Sequence, residues 1–225
     1  MPRFLKHEVV GKILDIGLLP VFYNNDANVA KRIIQACADG GALVVEYTNR
    51  GDFAYQIFNE LSVWIEKEFP DVILGAGTII EPTTADLYIN NGANFIVGPI
   101  FNPNVAKICN RRKVAYIPGC ITPTEISNAE EMGVDIVKIF PGKTVGPSFI
   151  KAVLGPCPWS KLMPSGGVEL TRENISDWIK SGASALNIGS NLIKKDLVKI
   201  NDYNGIKKLV EQCIIWINDA RGTTH

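Results

Sequence analysis

Lys138 occupies the setting in this chain that most invites chemistry. It stands in the middle of Asp135-Ile-Val-Lys-Ile-Phe-Pro-Gly142, an alternating and mostly apolar run led in by Gly133-Val134. Its β-branched and aromatic residues suit a buried, pleated strand. Pro141-Gly142 cannot continue the ladder, so the strand stops there. A lysine near a strand's end among apolar neighbours loses hydration, which disfavours its charged form. A neutral amine is a nucleophile toward carbonyls, and Schiff-base chemistry needs one. The plainer alternative is a lysine that snorkels from a strand edge to solvent.

Other polar residues sit at the ends of similar runs. Glu46 closes Ala42-Leu-Val-Val-Glu-Tyr47, so its carboxylate is partly desolvated and its pKa raised toward neutrality, as a proton shuttle requires. Its alternative is a structural ion pair, with Lys138 itself as a partner. Arg50 offers a planar fork for a carboxylate, or is a surface arginine at a helix start. Thr78 follows Gly75-Ala-Gly77, whose glycines allow close backbone approach; it is otherwise only a turn hydroxyl. Gly166-Gly167 and Gly189-Ser190 end two later apolar runs and suit phosphate, which backbone N–H groups can bind. Tight turns also use such glycines, so the pair of ends says more than either alone.

Strand-like and helix-like segments alternate along the chain, and these must position those residues. Residues 4–16 carry apolar side chains at helical spacing, closed by Gly17. Apolar runs follow at 18–23, 42–47, 72–78, 95–98, 114–119, 135–140, 162–167 and 185–190, with helical patterns between them and a last helix from Tyr203 to about Arg221. In the helix after Asp52, residues Phe53, Ile57, Leu61, Trp64 and Ile65 are expected on one face, and a helix is expected around Pro147–Leu154. Eight strands, helices between them and one extra helix at the front predict a (β/α)₈ TIM barrel with an extra N-terminal helix. A doubly wound open sheet is the rival. In the barrel, chemistry belongs at the strands' C-terminal ends, and Gly166, Gly167, Gly189 and Ser190 fall in its usual phosphate corner. Nothing marks a linker, so residues 1–225 read as a single domain.

The balance of 23 basic against 23 acidic side chains, in 225 residues, speaks weakly against nucleic acid or an anionic membrane as main partner. No apolar run nears the roughly 20 residues of a membrane span, and charge comes too early at the N-terminus for a signal peptide. Five scattered cysteines without a CxxC pair read as free thiols of a cytoplasmic protein. Only His7 and His225 are histidines, which argues against a histidine-built metal site or a Ser-His or Cys-His pair. Cys120 reads as packing, and Trp64, Trp159, Trp178 and Trp216 as core or interface anchors.

Taken together, Glu46-Tyr-Thr-Asn-Arg50, Gly75-Ala-Gly-Thr78, Pro118-Gly119 with Thr122-Pro123-x-Glu125, Lys138-Ile-Phe-Pro141 and Ser165-Gly-Gly167 resemble one family in order and spacing. It is the class I 2-keto-3-deoxy-6-phosphogluconate / 4-hydroxy-2-oxoglutarate aldolases, lyases on a (β/α)₈ barrel. The resemblance spans roughly Leu14 to the last helix. It implies a homotrimer acting without a metal or other cofactor on a small 2-keto-4-hydroxy acid, with pyruvate as a product. By position, Lys138 is the implied Schiff-base lysine and Glu46 the general acid/base. Arg50 and Thr78 would hold the pyruvate carboxylate, Pro99 and Phe140 would line the pocket, and Gly166, Gly167 and Ser190 would receive a distal phosphate. Three positions depart from the family's commonest pattern: Gly98 before Pro99 where serine is usual, Gly142 after Phe-Pro where alanine is usual, and Ser165 for a frequent threonine. These bear on substrate preference more than on reaction class. A different phosphate-binding barrel enzyme, an isomerase or a thiamine-phosphate-type synthase, is the alternative, as is a non-catalytic barrel that binds a phosphorylated metabolite.

Overall fold

Alternation decides which side of each strand faces inward. The computed structural model describes residues 2–222, and His225 falls outside them. In chain order the elements begin with α1 (Lys6–Ile16), β1 (Leu18–Phe22), α2 (Ala27–Asp39), β2 (Val44–Thr48), α3 (Ala54–Glu68), β3 (Ile73–Gly77) and α4 (Pro82–Asn90). Next come β4 (Phe95–Val97), α5 (Pro103–Arg112), β5 (Ala115–Ile117), β6 (Gly119–Cys120), α6 (Pro123–Glu131) and β7 (Val137–Ile139). The chain continues through α7 (Gly142–Leu154), β8 (Leu162–Pro164), α8 (Arg172–Lys180), β9 (Leu186–Ile188), α9 (Lys195–Lys199) and α10 (Tyr203–Arg221). The strands pair in parallel, six in the order β5-β4-β3-β2-β1-β9 and three in the order β6-β7-β8. The two groups meet at both ends. β5 runs into β6 through Pro118, whose carbonyl accepts the Lys138 N–H at 2.9 Å, and Ser165 bridges Asn187 just beyond β8. This is an α/β fold with a curled parallel sheet.

Two apolar layers result. The concave face carries Leu19, Val44, Ile73, Phe95, Val97, Ala115, Ile117, Ile136, Met163 and Ala185, which form one cluster with Val9 and Ile13 of α1. The opposite faces carry Leu18, Val45, Leu74, Ile96, Tyr116, Val137, Leu162 and Leu186, packed beneath the helices. A parallel sheet buried on both faces needs apolar residues at nearly every position, and this explains the unbroken runs of the sequence. The extra helix α1 thus closes the end where the strands begin. Arg221, at the end of α10, donates to the carbonyls of Leu14, Asp15 and Ser184 at 2.8–2.9 Å and ties the last helix to the first. Helix starts are capped as their sequences imply. Asp26, Asn102, Thr171 and Asp202 accept from first-turn N–H groups, and Thr122 with Glu125 forms a capping box.

Several expectations change. The fifth strand is cut into β5 and β6 because Pro118 has no N–H to give the ladder. Helix α3 turns inward the face that carries Leu61 and Ile65, as expected, but with Phe58 rather than Phe53 in the core. Phe53 is its N-cap, left-handed at φ 62° and 66% exposed, while Ala54, Phe58, Leu61 and Ile65 are buried. Ile57 and Trp64 only pack against that core. Helix α7 begins at Gly142, before the expected Pro147, because Gly146 at φ 69° joins two helical pieces across a kink. Trp159 is 67% exposed and is no core anchor, whereas Trp178 is fully buried. Helix α9 was not expected. Among the described residues, no helix is long and apolar enough to cross a membrane.

Ile13 is fully buried in the inner cluster. Ile13→Ala should lower stability by about 2–5 kcal/mol in urea denaturation. A loss under about 0.5 kcal/mol would mean that α1 does not seal that cluster.

Candidate active site

One step of the strand pleat beyond the inner apolar layer, the inward side turns polar. Residues two apart point the same way. Glu46, Lys138, Ser165 and Asn187 therefore stack directly beyond Val44, Ile136, Met163 and Ala185 of that layer. All four are buried, Glu46 and Asn187 to 1% exposure and Lys138 to 7%. They form the floor of a cavity of about 790 Å³. Its lining includes every residue the sequence nominated: Glu46, Arg50, Thr78, Pro99, Lys138, Phe140, Gly166, Gly167, Gly189 and Ser190. The sequence scattered them over most of the chain, and the sheet brings them to one mouth.

The floor is fitted around Glu46. Gly75 pairs with Glu46 in register across β2 and β3, and a Cβ on Gly77 would overlap Glu46 Oε1. Only glycine at 77 leaves the carboxylate its place. Asn187 Nδ2 donates to Glu46 Oε2 at 3.0 Å, so the hydrogen-bond partner of the carboxylate is an amide rather than the lysine. Burial raises the Glu46 pKa above its ordinary 4.5. The nearby Lys138 charge, the Asn187 bond and Arg50 pull it the other way without reversing the direction. Lys138 Nζ lies 5.1 Å from the centroid of the Phe140 ring, whose face meets the amine.

The rim comes from loops that the fold pins down. Asn49 N–H donates to Gly77 O at 2.8 Å, and Tyr88 OH donates to Asn49 Oδ1 at 2.9 Å, which fixes the turn carrying exposed Arg50. Thr78 is held at φ 62°, a conformation that β-branched residues rarely take and that marks functional sites when surroundings enforce it. Gly166 and Gly167 have φ of 74° and 100°, and Gly142 and Lys143 donate to Ser165 O and Gly166 O. A Cβ on Gly167 would overlap Lys143, so this turn needs glycine for space as well as for conformation.

The sequence reading did not name Asn187, Thr48, Lys195 or Lys199 as site residues, and it quoted Ser165 only within a motif. All line the cavity. Asn187 had a visible signal, a lone amide inside the apolar run Ala185-Leu-Asn-Ile188 on the inward phase. Thr48 shares the phase of Glu46. Lys195 and Lys199 belong to α9, and nothing in the sequence placed that helix over the mouth.

Comparison with known proteins now decides the family. Residues 10–209 match the model of one family, described as KDPG and KHG aldolase. The chain belongs to that family. It is an aldolase, and so a lyase. The Haemophilus influenzae protein named 2-dehydro-3-deoxy-phosphogluconate aldolase is 30% identical over 212 residues, covering 94% of this chain and 97% of its own. The KHG/KDPG aldolase of Escherichia coli K12 is 27% identical over 204 residues, covering 90% and 93%. Among solved structures, a Legionella pneumophila KDPG aldolase with pyruvate captured as a covalent carbinolamine superposes with a TM-score of 0.81 at 24% identity. It covers 90% of this chain and 96% of that one. The membership expected from the five sequence motifs holds.

The raised Glu46 pKa has a consequence for stability. The fold prefers the protonated carboxyl, so the stability this gives is full below the ordinary value of 4.5 and is lost as pH rises through the folded value. Glutamine mimics the protonated form. Glu46→Gln should therefore be more stable than the parent at about pH 8, and the gap should narrow toward about pH 5. Denaturant midpoints at both values check this, and a gap that widens as pH falls would contradict it.

Proposed function

We propose that this chain is a class I aldolase. It would cleave 2-keto-3-deoxy-6-phosphogluconate to pyruvate and glyceraldehyde 3-phosphate, and/or 4-hydroxy-2-oxoglutarate to pyruvate and glyoxylate. The observation that carries the reading is the pair on the cavity floor: a buried lysine amine and a buried carboxylate of raised pKa in one pocket of about 790 Å³. Its supports are family membership and the carbinolamine described for the Legionella relative.

Lys138 Nζ attacks the C2 ketone, and the carbinolamine loses water to give a protonated imine. Arg50 and Thr78 hold the adjacent carboxylate, making the attack effectively unimolecular. Glu46, directly or through a water, takes the proton of the C4 hydroxyl. The C3–C4 bond breaks, its electron pair flows toward the iminium nitrogen, and the aldehyde leaves. Glu46 then returns a proton to C3 of the enamine, and water hydrolyses the imine to free pyruvate. The iminium is the electron sink, so this scheme calls for no metal or other cofactor. Pro99 and Phe140 bound the reacting carbons, while Gly166, Gly167, Gly189 and Ser190 meet the distal anionic group.

The same reading covers the rest of the protein. Residues 1–225 form one domain, the curled sheet closes as an eight-stranded (β/α)₈ barrel, three copies associate as a homotrimer, and the enzyme works in the cytoplasm on small molecules. The parallel pairing, the Pro118 link and the Ser165–Asn187 bridge support closure.

Incubation with pyruvate and sodium borohydride should leave a pyruvate-derived adduct on Lys138 by peptide mass spectrometry, and Lys138→Ala should show neither adduct nor turnover. A Lys138→Ala protein that is still trapped would sink the assignment. Glu46→Gln should keep the adduct while turnover falls by about 10²–10⁴-fold. Turnover equal to the parent's would remove Glu46 from proton transfer. No adduct on the folded parent would favour another phosphate-binding enzyme or a non-catalytic binder.

A further inference from the structure

Asn187 stands at the centre of a buried polar relay that joins β1, β2, β8 and β9. Ser165 Oγ donates to Asn187 Oδ1 at 2.6 Å, and Asn187 Nδ2 donates to Leu19 O at 3.1 Å and to Glu46 Oε2 at 3.0 Å. Ser165 and Asn187 are 5% and 1% exposed. The orientation of the amide follows from its partners. Leu19 O can only accept, so the NH₂ end must face β1, and the oxygen is left for the Ser165 hydroxyl. A buried amide with mismatched partners is costly, so this arrangement resists a flip. The amide N–H is thereby aimed at one oxygen of Glu46, and the other, Oε1, lies over Gly77, where a Cβ would overlap it.

We propose that Asn187, oriented by Ser165, is a positioning residue for the reaction: it occupies Glu46 Oε2, leaving Oε1 to exchange protons with substrate, and offsets part of the cost of charging the buried carboxyl, so that the base form is reached more easily than burial alone would allow. The proposal rests on the reading of Glu46 as the acid/base. Without such a donor, the apolar layer of Val44, Ile136, Met163 and Ala185 just beneath would drive a buried carboxyl neutral. A neutral carboxyl cannot take the C4 hydroxyl proton. The other charged groups acting on Glu46 are Lys138 from β7 and Arg50 from the loop after β2, and both favour the carboxylate. Lys138 becomes part of the imine during turnover and Arg50 binds the substrate's carboxylate. Asn187 is thus the partner whose hold on Glu46 stays unchanged through the cycle. Ser165 supplies the hydroxyl on which this orientation depends.

The test is the pH dependence of kcat/KM for cleavage of 4-hydroxy-2-oxoglutarate, read through pyruvate release, in Asn187→Ala, Ser165→Ala, Ser165→Thr and Glu46→Gln. Loss of the donor favours protonated Glu46, so the acid limb for Asn187→Ala should move up by about one pH unit or more. Ser165→Ala should move it the same way by less, and Ser165→Thr should keep the parent profile. Pyruvate trapping on Lys138 should survive in all of them. If Asn187→Ala fails to melt cooperatively, the shift in Ser165→Ala decides. An acid limb at the parent position in a folded Asn187→Ala, or an effect confined to KM, would overturn the proposal while leaving the role of Glu46 intact. Full turnover in Glu46→Gln would instead remove the premise, and the proposal with it.

Discussion

A carboxylate buried to 1% exposure must find its partners inside the protein. Much of the inner face answers to that constraint on Glu46. β3 contributes glycine at positions 75 and 77, where a side chain would collide with Phe95 or with the carboxylate itself. β9 interrupts an apolar run with Asn187 and the chain just beyond β8 adds Ser165, so that the amide is held by its oxygen and by Leu19 O before it reaches Glu46. β7 supplies Lys138, whose charge acts on the same carboxyl. Four strands distant in sequence are committed to placing one acid beside one amine.

The constraint is met because the concave face has two storeys. The lower one is wholly apolar and is closed by Val9 and Ile13 of α1. It leaves only apolar side chains beneath Glu46 and Lys138, so the polar storey just above borders a region of low dielectric on one side and the cavity on the other. Electrostatic effects between Glu46, Lys138 and Arg50 are stronger there than they would be in water. The rim is different in kind. Arg50, Thr78, Gly166, Gly167 and Ser190 sit on turns, and turns can change residues without disturbing the storeys below. The strands and the turns around this cavity are thus under different constraints. Gly98 lies on the turn side of that division, Gly142 opens α7, and Ser165 lies on the floor.

Lys138 and Glu46 were legible because a charge inside an apolar strand is rare and has few uses. Gly166-Gly167 and Gly189-Ser190 were legible because two glycine-rich ends recurred at equivalent places in a repeated design. Asn187 carried the same kind of signal as Lys138 but a weaker one, since an uncharged amide inside a strand is less exceptional. Lys195 and Lys199 were not legible. Helix α9 is one short turn whose sequence, Lys-Asp-Leu-Val-Lys, has no strong period, and its place over the cavity is set by packing at Leu197 and Val198. On α3, Leu61 and Ile65 face the core as expected, and Phe53 alone was misplaced. Phe53 looks like a core residue, but its left-handed conformation puts it outside the helix and leaves Phe58 to face the core.

The amino-acid sequence alone determined the alternation of strands and helices, the caps that start them, the positions of the unusual charges and the family. Those are local properties, written in period, propensity and the cost of burying a lysine or glutamate. Only the tertiary structure decided that residues from 46 to 190 share one cavity and that α1 seals the apolar storey. It also decided that the partner of Glu46 is Asn187, 141 residues away. Such pairings depend on which strands neighbour one another and in what register. Hydrogen bonds across strands fix that register, and no single stretch of sequence carries it.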